Sequence, residues 1–191
     1  MNDEELMAAV AKGDQLAYQA LVRAHLPPIA RYALRLLGNP RDTEDIAQET
    51  FLRLWTGASR WDPAKAQLTT WLHRIAHNLC VDHLRKQGRL TLSETLDEEL
   101  EQRAEGEQDA HLLSDGIHED QESLANKERL DRALRRLPES QRSALLLCHY
   151  QGFSNREAAD IMGVSVKALE SLVARAKRGL RAQLTENVEA Q

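Results

Sequence analysis

Apolar residues recur every three or four positions along most of this chain, and runs that alternate apolar with polar residues are almost absent. An α-helix repeats every 3.6 residues, whereas a half-buried strand repeats every two. The pattern therefore predicts an all-α fold. Glycine and proline, which interrupt helices, fall mostly between the periodic segments.

The first helical patterns are separated by strong stop signals. The Gly13-Asp14 pair ends the first pattern, and the second is kinked or broken at Pro27-Pro28. Gly38-Asn39-Pro40 then combines a glycine suited to the position after a helix with a capping Asn and a proline for the first turn. This triplet predicts that one helix ends at Gly38 and the next begins immediately.

The next two patterns complete an amino-terminal domain. One reaches Trp55, and the other is predicted to be capped by Thr69 or Thr70 and to extend to about Lys86. We interpret residues 1–90 as one helical domain.

The composition changes after residue 90. Residues 91–125 lose the helical period, and between Glu94 and Glu122 there are twelve acidic residues against one basic residue, Arg103, a net charge of −11. The rest of the chain carries 18 acidic and 24 basic residues, a net charge of +6. The overall charge of −5 thus combines a mildly basic protein with an acidic segment, which we interpret as a linker.

Helical periodicity returns in residues 126–191, the second predicted domain. Helices are expected from Lys127 to Arg136 and from Pro138 to Tyr150. Ser154 and Glu157 then form the capping box of a short helix that ends at Met162. Two bundles joined by an acidic linker are therefore expected.

The last two helices have the form of a helix-turn-helix. Gly163 permits a tight turn, Ser165 caps the final helix to about Leu184, and Val166, Leu169 and Val173 are spaced to anchor it. Residues for base edges and phosphates would then face outward: Ser165, Lys167, Ala168, Glu170, Ser171, Ala174, Arg175 and Arg178. An ordinary amphipathic hairpin with a solvated basic face is the alternative.

Two further helical faces carry candidate binding residues. One face combines acidic, amide and apolar side chains and suits docking against a helix that carries Arg. It consists of Asp45, Gln48, Glu49, Leu52 and Arg53. An ordinary solvated helix face would explain the same pattern. In the helix that extends to about Lys86, an aromatic ring lies among cations and an amide, as in surfaces that stack unpaired bases. The residues of this face and just beyond it are Trp71, Arg74, Asn78, Arg85, Lys86 and Arg89. The alternative for Trp71 is a core residue.

These segments together resemble a known family. The stretches TEDIAQETFLRLW, TTWLHRIAHNLCVDHLRKQGR, LPESQRSALLL and GFSNREAADIMGVSVKALESLVARAKRGL resemble the extracytoplasmic-function sigma factors, a two-domain group of the bacterial sigma-70 family. The resemblance covers about 150 of the 191 residues, in the family's order. It implies that the carboxy-terminal domain is a winged-helix-like helix-turn-helix, sigma region 4.

The resemblance implies a role for each surface. The face from Asp45 to Arg53 would dock on the β′ clamp helices of core RNA polymerase, and the carboxy-terminal domain would meet the β flap and read the −35 element. The loop of residues 62–68 and the helix after it would recognise and open the −10 element, with Lys65, Ala66 and Gln67 at a flipped base. The acidic segment would thread toward the polymerase active centre. An anti-sigma factor between the domains is a further expected partner.

The sequence departs from the family at two positions of the last helix. Many relatives carry basic or small polar residues where this chain has Glu170 and Leu172. A glutamate at a base-reading position accepts a hydrogen bond from N4 of cytosine. A consensus −35 sequence is therefore not transferred to this chain.

Two other functions compete with this interpretation. A helix-turn-helix regulator that works without polymerase would explain only the carboxy-terminal half. A metal sensor would use His73, His77 and Cys80, although His73 to His83 spans about 15 Å, too far for one tetrahedral centre.

No cofactor and no catalytic chemistry are expected. With two separated cysteines and no apolar run near 20 residues, we expect a cytoplasmic protein without membrane insertion.

Overall fold

The computed structural model describes residues 1–88 and 121–189. In these two ranges the chain is helical and contains no strand, which confirms the predicted all-α class. The helices are α1 Asp3–Val10, α2 Gln15–Leu37, α3 Pro40–Gly57, α4 Leu68–Lys86, α5 Gln121–Arg136, α6 Glu139–Leu145, α7 Asn155–Met162 and α8 Val166–Glu189. A 3₁₀ turn, Ala58–Arg60, follows α3, and a π-helical turn, Leu146–Tyr150, continues α6.

The amino-terminal bundle is built around α2, which packs against α1, α3 and α4. Its centre contains side chains without any exposed surface: Leu21, Ile29, Tyr32, Leu36, Leu54 and Leu72. The predicted stop signals work as expected between α2 and α3, because Gly38 has a φ of 72° and the Asn39 side chain accepts hydrogen bonds from two amides of the next turn. These caps fix where α3 begins and which face it buries.

Of the kink or break predicted at Pro27-Pro28, the break does not occur. Helix α2 passes through both prolines as one element of 23 residues. Each proline removes a helical hydrogen bond, but the buried face continues on both sides, from Leu21 to Ile29 and Tyr32, all fully buried. Packing against three helices therefore outweighs the local penalty.

Two predicted helix starts were also wrong. Helix α4 begins at Leu68, before both predicted threonine caps, and Leu68 is itself only 2% exposed. Helix α5 begins at Gln121, six residues before the predicted start at Lys127 and inside the predicted linker. Its first turns contain Glu, Leu and Ala, which favour helix despite the acidic composition. The remaining predicted linker, residues 91–120, lies outside the described residues.

The carboxy-terminal bundle packs α8 against α5, α6 and α7. It does not stand apart from the first bundle, because α7 packs on α4, and α2 contacts α5, α6 and the π-helical turn. The Phe153 ring meets the His73 ring edge-on with centroids 4.7 Å apart. The Arg35 guanidinium lies 4.1 Å from the centre of the Tyr150 ring. The described residues thus form a closed arrangement of two bundles.

Candidate nucleic-acid and protein interfaces

The predicted docking face of α3 lies on the surface. Asp45, Gln48 and Arg53 are exposed, and Leu52 exposes 53% of its surface although it is apolar. Glu49 is half-buried and pairs with Arg53, with Oε1 2.9 Å from Nε. The opposite side of α3 is buried through the residues expected to point inward, Ile46, Thr50 and Leu54. The predicted orientation of this helix is therefore confirmed.

Helix α3 is held rigidly behind that face. The Thr50 hydroxyl donates to the Ile46 carbonyl at 2.7 Å, so a buried polar group is satisfied within the helix. The Tyr18 hydroxyl of α2 donates to the Phe51 carbonyl at 3.2 Å, and the Tyr18 and Trp55 rings meet edge-on at 5.2 Å. These contacts fix the rotation of α3 and keep an apolar residue, Leu52, in solvent.

The loop before α4 presents its predicted residues outward. Lys65 and Gln67 are exposed and Ala66 is partly exposed. The Asp62 carboxylate accepts a hydrogen bond from the Ala64 amide at 3.0 Å, which shapes the turn. The loop is thus anchored at its beginning while its tip is accessible.

Helix α4 carries the predicted nucleic-acid face next to this loop. Arg74, Asn78, Arg85 and Lys86 are exposed, and Arg89 lies outside the described residues. Trp71 is half-buried, and its ring packs over Gly57, where a Cβ atom would lie 3.5 Å from the ring. Trp71 is therefore partly a packing residue, with the rest of its surface open beside Arg74.

His73 and His77 of α4 occupy the opposite, buried face. The His73 ring donates from Nδ1 to the Thr69 carbonyl at 2.8 Å, and Nδ1 of His77 shares a hydrogen bond of 2.8 Å with the Tyr32 hydroxyl. Burial lowers the pKa of His77 to about 4 and raises the pKa of the Cys80 thiol to about 12. Within the described ranges no three His, Cys, Asp or Glu side chains converge on a possible metal position, so the metal-sensor alternative gains no support there.

The helix-turn-helix has the predicted capping. Ser154 and Glu157 make both hydrogen bonds of a capping box, and Gly163 ends α7 with a φ of 69°. The Ser165 hydroxyl accepts a hydrogen bond from the Ala168 amide at 3.1 Å at the start of α8. These local signals set the angle at which α8 leaves the turn.

The buried stripe of α8 differs from the predicted one. Leu169 is buried as expected, but Val166 is 40% exposed and Val173 only half-buried, because the helix is anchored by Leu169, Leu172, Ala176 and Leu180. This rotation turns Arg175 inward to 8% exposure, so its predicted outward position was wrong. Five predicted residues are exposed, namely Ser165, Lys167, Glu170, Ala174 and Arg178, while Ala168 and Ser171 are partly exposed.

One cluster was not anticipated from the sequence. A cleft between α2 and α5 is lined by Arg31, Leu34, Arg35, Gly38, Pro40, Lys127, Asp131, Leu134 and Arg135. The spacing of Arg31 and Arg35 shows that they share a helix face, but only the packing of two distant helices brings Lys127 and Arg135 to them. We refer to this set of residues as the interdomain cleft.

No helix in the described part of the chain is both long enough and apolar enough to cross a bilayer.

Two sequence families match this chain in the order of its two bundles. Sigma-70 region 2 matches residues 21–90, and Sigma-70, region 4 matches residues 127–180. The first match contains the α3 and α4 faces, and the second contains α7, the turn after it and α8 as far as Leu180.

Individual relatives extend the match over nearly the full chain. RNA polymerase sigma factor NccH of Alcaligenes xylosoxydans xylosoxydans is 37% identical over 95% of this chain and 94% of its own length. ECF RNA polymerase sigma factor SigE of Mycolicibacterium smegmatis is 34% identical over 97% of this chain and 70% of its own length.

Solved structures show the same architecture. CnrH, solved in complex with the cytosolic domain of CnrY, gives a TM-score of 0.69 at 26% identity and covers 96% of this chain and 97% of its own. The sigma factor RpoE of Bartonella quintana, solved with the anti-sigma factor NepR, gives a TM-score of 0.65 at 26% identity. This match covers 88% of the present chain and 96% of the RpoE chain. The chain belongs to the extracytoplasmic-function sigma factors of the sigma-70 family.

Proposed function

We propose that the domain of residues 1–90 docks this chain on core RNA polymerase and opens the −10 element, and that the domain of residues 126–191 reads the −35 element. The observation that carries the proposal is the α3 face. A rigid helix keeps Leu52 53% exposed beside Asp45, Gln48 and Arg53, while its other side is buried. A fixed, partly apolar and partly charged stripe suits a protein partner.

The −10 role rests on the adjacent surface. Arg74, Arg85 and Lys86 supply charge for phosphates, and Asn78 supplies donors and an acceptor for a base edge. The open part of Trp71 offers a ring on which an unpaired base stacks, a contact worth about 1–3 kcal/mol per base. With Lys65 and Gln67 exposed in the neighbouring loop, this side of the bundle suits single-stranded DNA.

The −35 role rests on the exposed half of α8. Lys167, Glu170 and Ala174 project from its first turns, where a recognition helix meets base edges. Arg178 lies one turn later and suits a phosphate, and the buried Arg175 is assigned to packing. The Glu170 carboxylate would accept a hydrogen bond from N4 of cytosine, which makes Glu170 the residue that determines base specificity on this helix.

We further propose control by an anti-sigma factor that binds the two bundles together. The solved relative RpoE is in complex with the anti-sigma factor NepR, and CnrH with the cytosolic domain of CnrY. The described bundles of this chain already contact each other through His73 with Phe153 and Arg35 with Tyr150. A partner that spans both bundles would stabilise this arrangement.

Binding of labelled promoter DNA, with and without core polymerase, tests the proposed function. We expect weak, salt-sensitive binding by the chain alone and at least tenfold tighter binding once core enzyme is added, with core enzyme alone as the control. Equal affinity in the presence and absence of core would contradict the proposal and favour a helix-turn-helix regulator that works without polymerase.

A further inference from the structure

The interdomain cleft concentrates positive charge contributed by both bundles. Arg31 and Arg35 lie one turn apart on α2, and Lys127 and Arg135 face them from α5, with Asp131 as the one acidic side chain of the lining. Arg31, Lys127 and Arg135 are exposed, and Arg35 is half-buried under the Tyr150 ring. The lining therefore has a net charge of +3 and is open to solvent.

This charge opposes the contact between the bundles. Like charges brought near each other from two elements repel, and the repulsion is larger beside the low-dielectric protein than in bulk water. The Arg135 side chain nevertheless packs over Gly38: a Cβ atom added to this glycine would lie 3.3 Å from Nε of Arg135. An anionic occupant of the cleft would offset this repulsion and stabilise the contact.

The chain itself contains an anionic segment that directly precedes α5 in the sequence. Residues 94–120 carry eleven acidic residues and one basic residue, and they lead directly into α5 at Gln121. Lys127 is six residues into that helix, about 9 Å along its axis. A stretch attached so close to a site is present there at an effective concentration on the order of millimolar.

We propose that the acidic segment of residues 94–120 docks on the interdomain cleft of its own chain. Glu and Asp carboxylates would pair with Arg31, Lys127 and Arg135, and the exposed Leu34 would provide an apolar contact in the middle of the lining. The regulatory consequence rests on the proposed function: a segment held at this cleft is withheld from polymerase and stabilises the closed arrangement. The docking itself requires only this chain.

A paramagnetic label tests the docking in the full-length protein. The label is attached to Ala110→Cys in a Cys148→Ser background, since Cys80 is fully buried and its pKa is raised by burial. We expect the amide signals of residues 31–35 and 127–135 to lose at least half their intensity at low salt. They should recover near 1 M NaCl, where the Debye length falls to about 3 Å.

A charge-reversed cleft and a matched control make the test specific. Arg31→Glu with Lys127→Glu should restore the signals, whereas Arg23→Glu with Arg132→Glu, which changes the same charge at exposed positions on the same two helices, should leave them broadened. Unbroadened signals in the parent protein, or equal broadening in both double variants, would overturn the proposal.

Other occupants give distinct results. In a second experiment, isotope-labelled protein without a spin label is mixed with protein that carries the spin label but no isotope label. Broadening of the amide signals in this mixture would assign the cleft to another molecule of the chain and overturn intramolecular docking. Shifts of the same signals by a short single-stranded DNA, without broadening from the label at position 110, would assign the cleft to nucleic acid. Core polymerase binding, measured separately on the same samples, decides the proposed function independently of these outcomes.

Discussion

A buried hydrogen bond joins α2 to α4 inside the amino-terminal bundle, one helical turn from a ring contact with the second bundle. The Tyr32 hydroxyl and Nδ1 of His77 lie 2.8 Å apart, and burial lowers the pKa of His77 to about 4 while it raises that of Tyr32. His77 is therefore neutral at pH 7. Its neighbour His73, whose pKa is also lowered by burial, meets Phe153 of the second bundle.

The first prediction concerns pH. A histidine with a folded-state pKa near 4 and an unfolded pKa near 6.5 stabilises the fold fully above pH 6.5 and loses this contribution as pH falls toward 4. For His77 the loss between pH 7 and pH 5 is about 2 kcal/mol. Denaturant unfolding at both pH values should show this loss in the parent protein and a smaller loss in His77→Gln, which retains a polar partner for Tyr32. Equal losses would contradict the assignment.

The second prediction concerns Trp71. Trp71→Ala should leave the closed promoter complex intact and impair strand opening at least tenfold, because a stacking platform for an unpaired base is lost. Permanganate reactivity of unpaired thymines reports the opening. Trp71→Phe should restore most of it, since a ring remains over Gly57. Normal opening by Trp71→Ala would show that this residue serves packing alone.

The histidines also show where residue-scale reasoning from sequence ends. His73, His77 and Cys80 share one side of α4, so their spacing alone allowed a metal site. The structure places them in the face that α4 presents to α2 and α7. Sequence periodicity reveals one buried stripe per helix, but α4 is covered on two sides by helices distant in the chain. That second covering could not be predicted from the spacing.

At the scale of elements, local signals predicted boundaries better than rotations. The Gly38-Asn39-Pro40 triplet and the Ser154 capping box placed helix ends well because capping is a property of adjacent residues. The rotation of α8 depends on its contacts with α5, α6 and α7. Sequence alone therefore did not show that Leu172 replaces Val173 in the core and that Arg175 turns inward.

The third prediction separates the arginines and the glutamate of α8. Arg178→Ala should weaken promoter binding about equally across sequences and reduce the slope of log affinity against log salt by about 1, whereas Glu170→Ala should change base preference at one position. Arg175→Ala should instead lower the stability of the fold, because a buried side chain is removed. Competition assays with systematically varied promoters, and thermal unfolding, check these results. A change of base preference by Arg178→Ala would contradict the assigned faces.

At the scale of the whole molecule, the closed arrangement is too small for its proposed task. Elements about 25 base pairs apart are about 85 Å apart at roughly 3.4 Å per base pair. A compact chain of this length has a radius of gyration of about 16 Å. The contacts of His73 with Phe153 and of Arg35 with Tyr150 must therefore break when both promoter elements are bound.

The fourth prediction is this opening. Fluorescent labels at Gln19→Cys and Ala182→Cys, exposed positions on the two bundles in a Cys148→Ser background, should show a marked fall in energy transfer when core polymerase is added. Promoter DNA without polymerase serves as the control and should change the transfer little. Unchanged transfer in a complex isolated by gel filtration would mean that the bundles stay together.

The fifth prediction is the most direct test of the central claim, that the α3 face recruits core polymerase and so sets where transcription starts. It requires sequencing of transcripts made in vitro by core enzyme with the parent chain or with Asp45→Ala/Gln48→Ala/Glu49→Ala, a variant expected to keep its helicity. Glu4→Ala/Gln15→Ala/Gln19→Ala, exposed elsewhere on the same bundle, is the matched control. The parent and the control should yield defined starts that core enzyme alone lacks, and the α3 variant should not. Identical starts with the α3 variant and the parent, or with and without the chain, would contradict the account.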